Sequence, residues 1–203
     1  MGQTRRKLQP RALLPIFALL VGFTGQLRAT QVRPLNLEQM TERAATIFTG
    51  VCTEVRVERD PNVGWVSVAS FEVERTVKGR VARTATVRLL GGQPDLEPRS
   101  TSIAGMPGFH RGDEVVLFLY GTSALGLTSP VGLGQGRFTV VRDKAGKKLA
   151  INAFGNDRLL DGLAPAKRER LGADAAPSPG AKGIEVDALL EVTTGLAESG
   201  ARQ

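Results

Sequence analysis

The chain has 203 residues, of which 41% are hydrophobic, 23% charged and 5% aromatic, with a single cysteine and a single histidine. That length allows one domain, alone or with tails, and excludes two full ones, because compact domains usually take about 100–150 residues. The formal charge of +7 is concentrated in residues 1–29, which hold five basic residues and no acidic one; the remainder carries 22 Lys+Arg against 20 Asp+Glu, or +2, so no basic surface able to follow a phosphate backbone is expected and nucleic acid is excluded as the partner.

In chain order, Arg5, Arg6, Lys7 and Arg11 precede an apolar run from Ala12 to Phe23, and small or polar residues follow. These are the proportions of a secretory signal peptide, expected over 1–29 with cleavage after Ala29. Twelve apolar residues are too few for a bilayer core that needs about 20, so no stable membrane insertion is expected after cleavage, and the address is secreted or periplasmic. Arg5-Arg6 is read as an ordinary cationic region rather than a twin-arginine signal, since only Leu8 of the following pair is apolar. In an exported chain the lone Cys52 has no internal disulfide partner, and a buried thiol is expected.

Asn36 and Gln39 have capping-box spacing, with Leu35 placed to staple onto Met40, which predicts a short helix to about Ala45 with Leu37, Met40 and Ala44 on one face. Period-two alternation then predicts a strand over Ile47–Glu58, a turn at Asp60–Gly64, a second strand from Trp65 to Val77 and, after Lys78-Gly79, a third from Val81 to Leu90. The three read as a meander. Residues 91–113 form a long Gly- and Pro-rich loop, of a length that is usually either mobile or functional. Val115–Tyr120 is apolar on both faces and is the expected centre of the core. Strands over 137–142 and 148–153 flank the turn Asp143–Gly146. Residues 155–183 read as a flexible linker, and 184–203 as a short amphipathic helix or tail weakened by Gly195.

This pattern predicts a mainly β domain over 30–154: a small five- to six-stranded OB-like barrel with a short N-terminal helix and a possible C-terminal helix, with a β-sandwich as the alternative. The helix, then Ala45–Val51, Phe71–Gly79 and Pro107–Glu114 ahead of the apolar strand, together resemble a group of uncharacterised exported bacterial proteins whose barrel is similar to netrin-like modules and tissue inhibitors of metalloproteinases. The resemblance spans about residues 36–153 and implies an OB-type fold. Those inhibitors direct an amino-terminal cysteine at the protease zinc and are rich in disulfides, whereas this chain has one cysteine, so the resemblance does not extend to their activity.

Zinc needs three or four ligands, and one histidine, one distant cysteine and scattered carboxylates do not supply them; neither metal nor cofactor is expected. Ser100 or Ser102 with His110 and Asp95 could be assembled into a hydrolytic site, but nothing resembles a nucleophile elbow. Gly132–Arg137 has glycines at alternate positions leading into a strand, not the helix a dinucleotide fingerprint needs, and reads as a bend or bulge. Glu72 and Glu74 lie two apart in a solvated strand, where raised carboxylate pKa values are not suggested. The expectation is an exported non-catalytic binding or accessory module of the cell envelope that recognises an envelope or extracellular protein or peptide, with Met106, Phe109, His110 and Arg111 as the contact residues. A secreted hydrolase with a dispersed site is the alternative.

Overall fold

The computed structural model describes residues 33–92, 103–172 and 183–201. Asn36 caps helix α1 (Leu37–Arg43): its side chain accepts from the Gln39 N–H at 2.8 Å, while the Gln39 side chain accepts from the Asn36 N–H at 3.3 Å. Leu37 and Met40, one turn apart, are fully buried. At the other end the Lys78 ammonium donates to the carbonyls of Thr41 (2.7 Å) and Glu42 (3.1 Å), satisfying the orphan acceptors of the last turn.

The period-two runs form strands β1 (Thr46–Asp60), β2 (Gly64–Lys78), β3 (Thr84–Leu90), β4 (Glu114–Leu119), β5 (Arg137–Arg142) and β6 (Lys148–Asn152), and a two-residue β7 (Ile184–Glu185) completes the sheet. The order is β3-β2-β1-β4-β5-β6-β7, with every pairing antiparallel. β1 and β2 are each 15 residues long, and their register shifts at Ile47/Phe48, Thr49/Gly50 and Cys52/Glu54. Such bulges bend and twist a long ribbon. At Gly50 the two backbones approach so closely that an added Cβ would lie 2.3 Å from the Glu72 carbonyl oxygen.

Strands β1, β2 and β3 form the expected meander. β4 does not follow on β3 but returns to pair with the far side of β1, Ile47 against Phe118 and Gly50 against Val115. Three hairpin-linked strands followed by a fourth beside the first make a Greek key. The domain is mainly β, as expected, and its sheet is open: β3 and β7 end it and are not paired with each other, so a closed barrel is not shown. One link approaches closure, since the Thr128 N–H donates to the Arg88 carbonyl of β3 at 2.9 Å while Pro130 bridges to Leu119 of β4.

β4 is the structural centre, as its two apolar faces require, with Val115, Val116, Leu117 and Phe118 all at 0% exposure. Val116 and Phe118 join one core with α1, Phe138, Ala150 and the C-terminal helix; Val115, Leu117 and Leu119 join a second with Phe48, Cys52, Phe71, Val87 and Leu89. Much of the expected linker belongs to the first core. Residues 153–162 form turns and 165–170 a short helix, α2 (Pro165–Arg170), and the stretch buries Leu159, Leu163 and Leu171. Helix α3 (Val186–Gly200) docks Leu189, Leu190, Val192 and Leu196 there. Among the described residues no helix is long and apolar enough to cross a membrane.

Candidate functional site

Asp113, immediately before β4, ties the end of the long connection to the sheet. Its backbone continues the β1–β4 pairing: the Cys52 N–H donates to the Asp113 carbonyl (2.8 Å), and the Gly112 N–H to the Cys52 carbonyl (2.7 Å). Its carboxylate accepts from the His110 backbone N–H at 2.9 Å, closing a tight turn, and from the Arg137 guanidinium at 2.8 Å. Arg137 opens β5, donates also to the Thr139 hydroxyl at 2.9 Å, and stands 5.3 Å from the centre of the Phe109 ring, within cation–π range. Phe109 packs edge-on against Phe71, with centroids 5.1 Å apart and planes at 84°.

These contacts divide the four expected contact residues. Phe109 is only 7% exposed and plugs the second core, so its ring is a fixed part of the fold in this structure. Met106 is half-buried against the same core. His110 and Arg111 project from the turn, with 86% of the His110 side chain exposed. Sequence reading passed over Asp113 and Arg137, the two residues that anchor the turn. A carboxylate three residues after His110 is within local reach of its backbone N–H, but nothing local announces Arg137, 24 residues further on.

The other chemical candidates resolve differently. Ser100, Ser102 and Asp95 lie outside the described residues. The His110 Nδ1 is 3.7 Å from the Asp113 carboxylate, and among the described residues no hydroxyl or thiol is hydrogen-bonded to the ring. The Cys52 thiol is buried, hydrogen-bonds the Glu54 carbonyl at 3.5 Å, and has its pKa pushed up chiefly by burial, which makes it a poor nucleophile. Among the described residues there is no group of three His, Cys, Asp or Glu able to hold a metal ion. Glu72 and Glu74 are solvated and face Arg83 (3.4 Å) and Lys148 (3.9 Å).

Gly132–Arg137 forms neither a phosphate cradle nor a bulge within a strand. It makes a 3₁₀ turn (Leu133–Gln135) ahead of β5, entered through Gly132 in the left-handed region at φ 64°. The buried Gln135 side chain accepts from the Leu35 N–H (2.7 Å) and donates to the Arg33 carbonyl (3.1 Å), so this turn holds the chain entering α1. Gly136 lies so close to Val131 that an added Cβ would be 2.5 Å from its carbonyl oxygen. A separate groove of about 460 Å³ runs between α1 and α3, lined by Glu38, Glu42, Lys78, Lys167 and Ser199, with no net sign of charge to select a ligand. No family model matches the chain, and no curated protein and no solved structure matches it.

Proposed function

We propose that the chain is an exported, non-catalytic binding or accessory module of the cell envelope, which recognises a protein or peptide through the turn that carries His110 and Arg111. The observation that supports this reading is the division of labour around Asp113. The buried Phe109 and the half-buried Arg137 and Asp113 fix the base of the turn to two strands, while His110 and Arg111 are left to solvent. A rigid base that presents polar tips limits the entropy lost on binding. The Greek-key order and the Thr128–Arg88 bond are also in keeping with a barrel-like, OB-type body under that turn.

The reading is tested by placing a photo-crosslinking amino acid at His110, and for comparison at the exposed Ala124, past the far end of β4, and irradiating the purified protein with an envelope extract of its native host. An adduct formed from position 110 and not from 124, competed by the unlabelled protein and lost when Arg111→Glu is added, is the expected result. Equal adducts from both positions overturn the turn as the contact. Turnover of an ester, peptide or glycan that His110→Ala abolishes without unfolding the protein overturns the non-catalytic reading and restores the hydrolase.

A further inference from the structure

Strand β3 closes one end of the sheet, and its hydrogen-bonding direction can be read residue by residue. The Arg83 carbonyl accepts from Val73 and the Gly91 N–H donates to Trp65, so the odd-numbered residues of this strand turn their backbone groups toward β2. In an antiparallel ladder both groups of a residue face the same side, and the side alternates along the strand. Thr84, Thr86 and Arg88 therefore turn theirs outward. The Arg88 carbonyl is taken by the Thr128 N–H, and among the described residues nothing bonds the outward groups of Thr84 and Thr86. Both threonines are exposed.

The side chains beside this edge describe what would lie along it. Ala85 on β3 and Val81 before it are only half-buried against the second core, so the core is thinly covered there. Arg75, Arg80 and Arg83 are exposed around the β2–β3 connection, with Arg83 in a solvated ion pair with Glu72 at 3.4 Å.

We infer that the β3 edge at Thr84–Thr86 is a strand-addition site for an extended acidic peptide, one whose alternate side chains are apolar and cover Val81 and Ala85 while its carboxylates face the arginines. Main-chain bonds to Thr84 and Thr86 supply the affinity, the alternation supplies the choice of sequence, and the Thr128–Arg88 contact sets the end of the register. The site names a partner class within the binding-module reading and rests on that reading, but it lies on an edge that the His110 crosslinking experiment does not probe.

The probe is a fluorescein-labelled peptide of five Val-Glu repeats, with five Val-Lys repeats as its counterpart, titrated by fluorescence anisotropy against the purified exported protein at about 10 mM salt, where the Debye length is roughly 30 Å. The acidic peptide is expected to bind at least about tenfold more tightly than the basic one. Thr86→Pro deletes an outward N–H without breaking a ladder bond and should weaken binding about tenfold, whereas Thr86→Ala, which keeps the N–H, should leave it unchanged. Should Thr86→Pro fail to fold, Arg80→Glu with Arg83→Glu provides an independent arm, because it should exchange the preference of the two peptides. Absence of binding by the acidic peptide, equal binding of both peptides, unaltered binding by Thr86→Pro, or self-association of the protein through this edge overturns the inference. The crosslink from His110 can succeed when this titration fails, and the reverse, so the two failures are distinguishable.

Discussion

Phe109 and Arg111 are two residues apart and have opposite roles. The ring is buried against Phe71 and beneath Arg137, while the guanidinium of Arg111 stands in solvent. Truncating a core phenylalanine removes its transfer free energy and leaves a cavity, so Phe109→Ala should destabilise the protein by about 3–5 kcal/mol in urea denaturation. Arg111→Ala should change stability by less than about 0.5 kcal/mol, as exposed substitutions usually do. Asp113 lies between these extremes. Its carboxylate serves two donors, one of them a mostly buried guanidinium, and removing it strands Arg137. Asp113→Ala should cost about 1–3 kcal/mol by the same measurement and loosen the His110 amide in hydrogen exchange. A loss no larger for Phe109→Ala than for Arg111→Ala would show that the ring does not plug the core.

At the scale of elements, the 3₁₀ turn before β5 joins three parts of the chain. Gln135 holds Arg33 and Leu35, the Gly134 N–H donates to the Gly105 carbonyl at 3.1 Å, and the Asn152 side chain donates to the Gln135 carbonyl at 3.3 Å. The buried Leu35 N–H has no other acceptor among the described residues, so Gln135→Ala should cost about 1–3 kcal/mol through an unsatisfied donor. The effect should appear first as faster hydrogen exchange at Leu35 and earlier proteolysis ahead of α1, with the β1–β2 amides still protected. Uniform loss of protection across both regions would instead show that the entering chain and the sheet unfold as one unit. Gly136 has a backbone reason to be glycine, since a Cβ would meet the Val131 carbonyl and amide at 2.5 and 2.7 Å.

For the molecule as a whole, three groups give stability a dependence on pH. The Asp60 carboxyl is held below the usual carboxylate range, first by the Asn62 backbone N–H and also by Arg88. A lowered folded pKa contributes stability that is present above the unfolded value of about 3.9 and lost as pH falls through the folded one, and Asp60→Asn should flatten that acid limb. Burial raises the Cys52 thiol, and a bond to Glu185 raises the Lys147 ammonium. Raised folded values act in the other sense. Their contributions are complete below unfolded values of about 8.5 and 10.4 and are lost as pH rises through the folded ones. Melting temperatures scanned over pH should decline on both sides, with the onset above pH of about 8.5 removed in Cys52→Ala. An alkaline limb unchanged by that substitution would show that the thiol titrates alike in both states.

Local pattern carried much of this fold. The capping box at Asn36, the alternation of β1, β2 and β3, the doubly apolar β4 and the turn between β5 and β6 are near-neighbour effects, fixed by which side chains fall on one face or reach the next few amides, and they can be read along the chain. The Greek-key return of β4 to β1, the open ends of the sheet and the burial of Leu159, Leu163 and Leu171 in a stretch of linker-like composition depend on partners far away in sequence. The same holds for the candidate site. Sequence singled out the turn around His110 by its length and composition, but Phe109 became core and Arg111 stayed exposed only because Phe71 and Arg137 come from other strands. Composition describes a residue's tendency to be buried; which residue is buried is decided by what the folded chain brings against it.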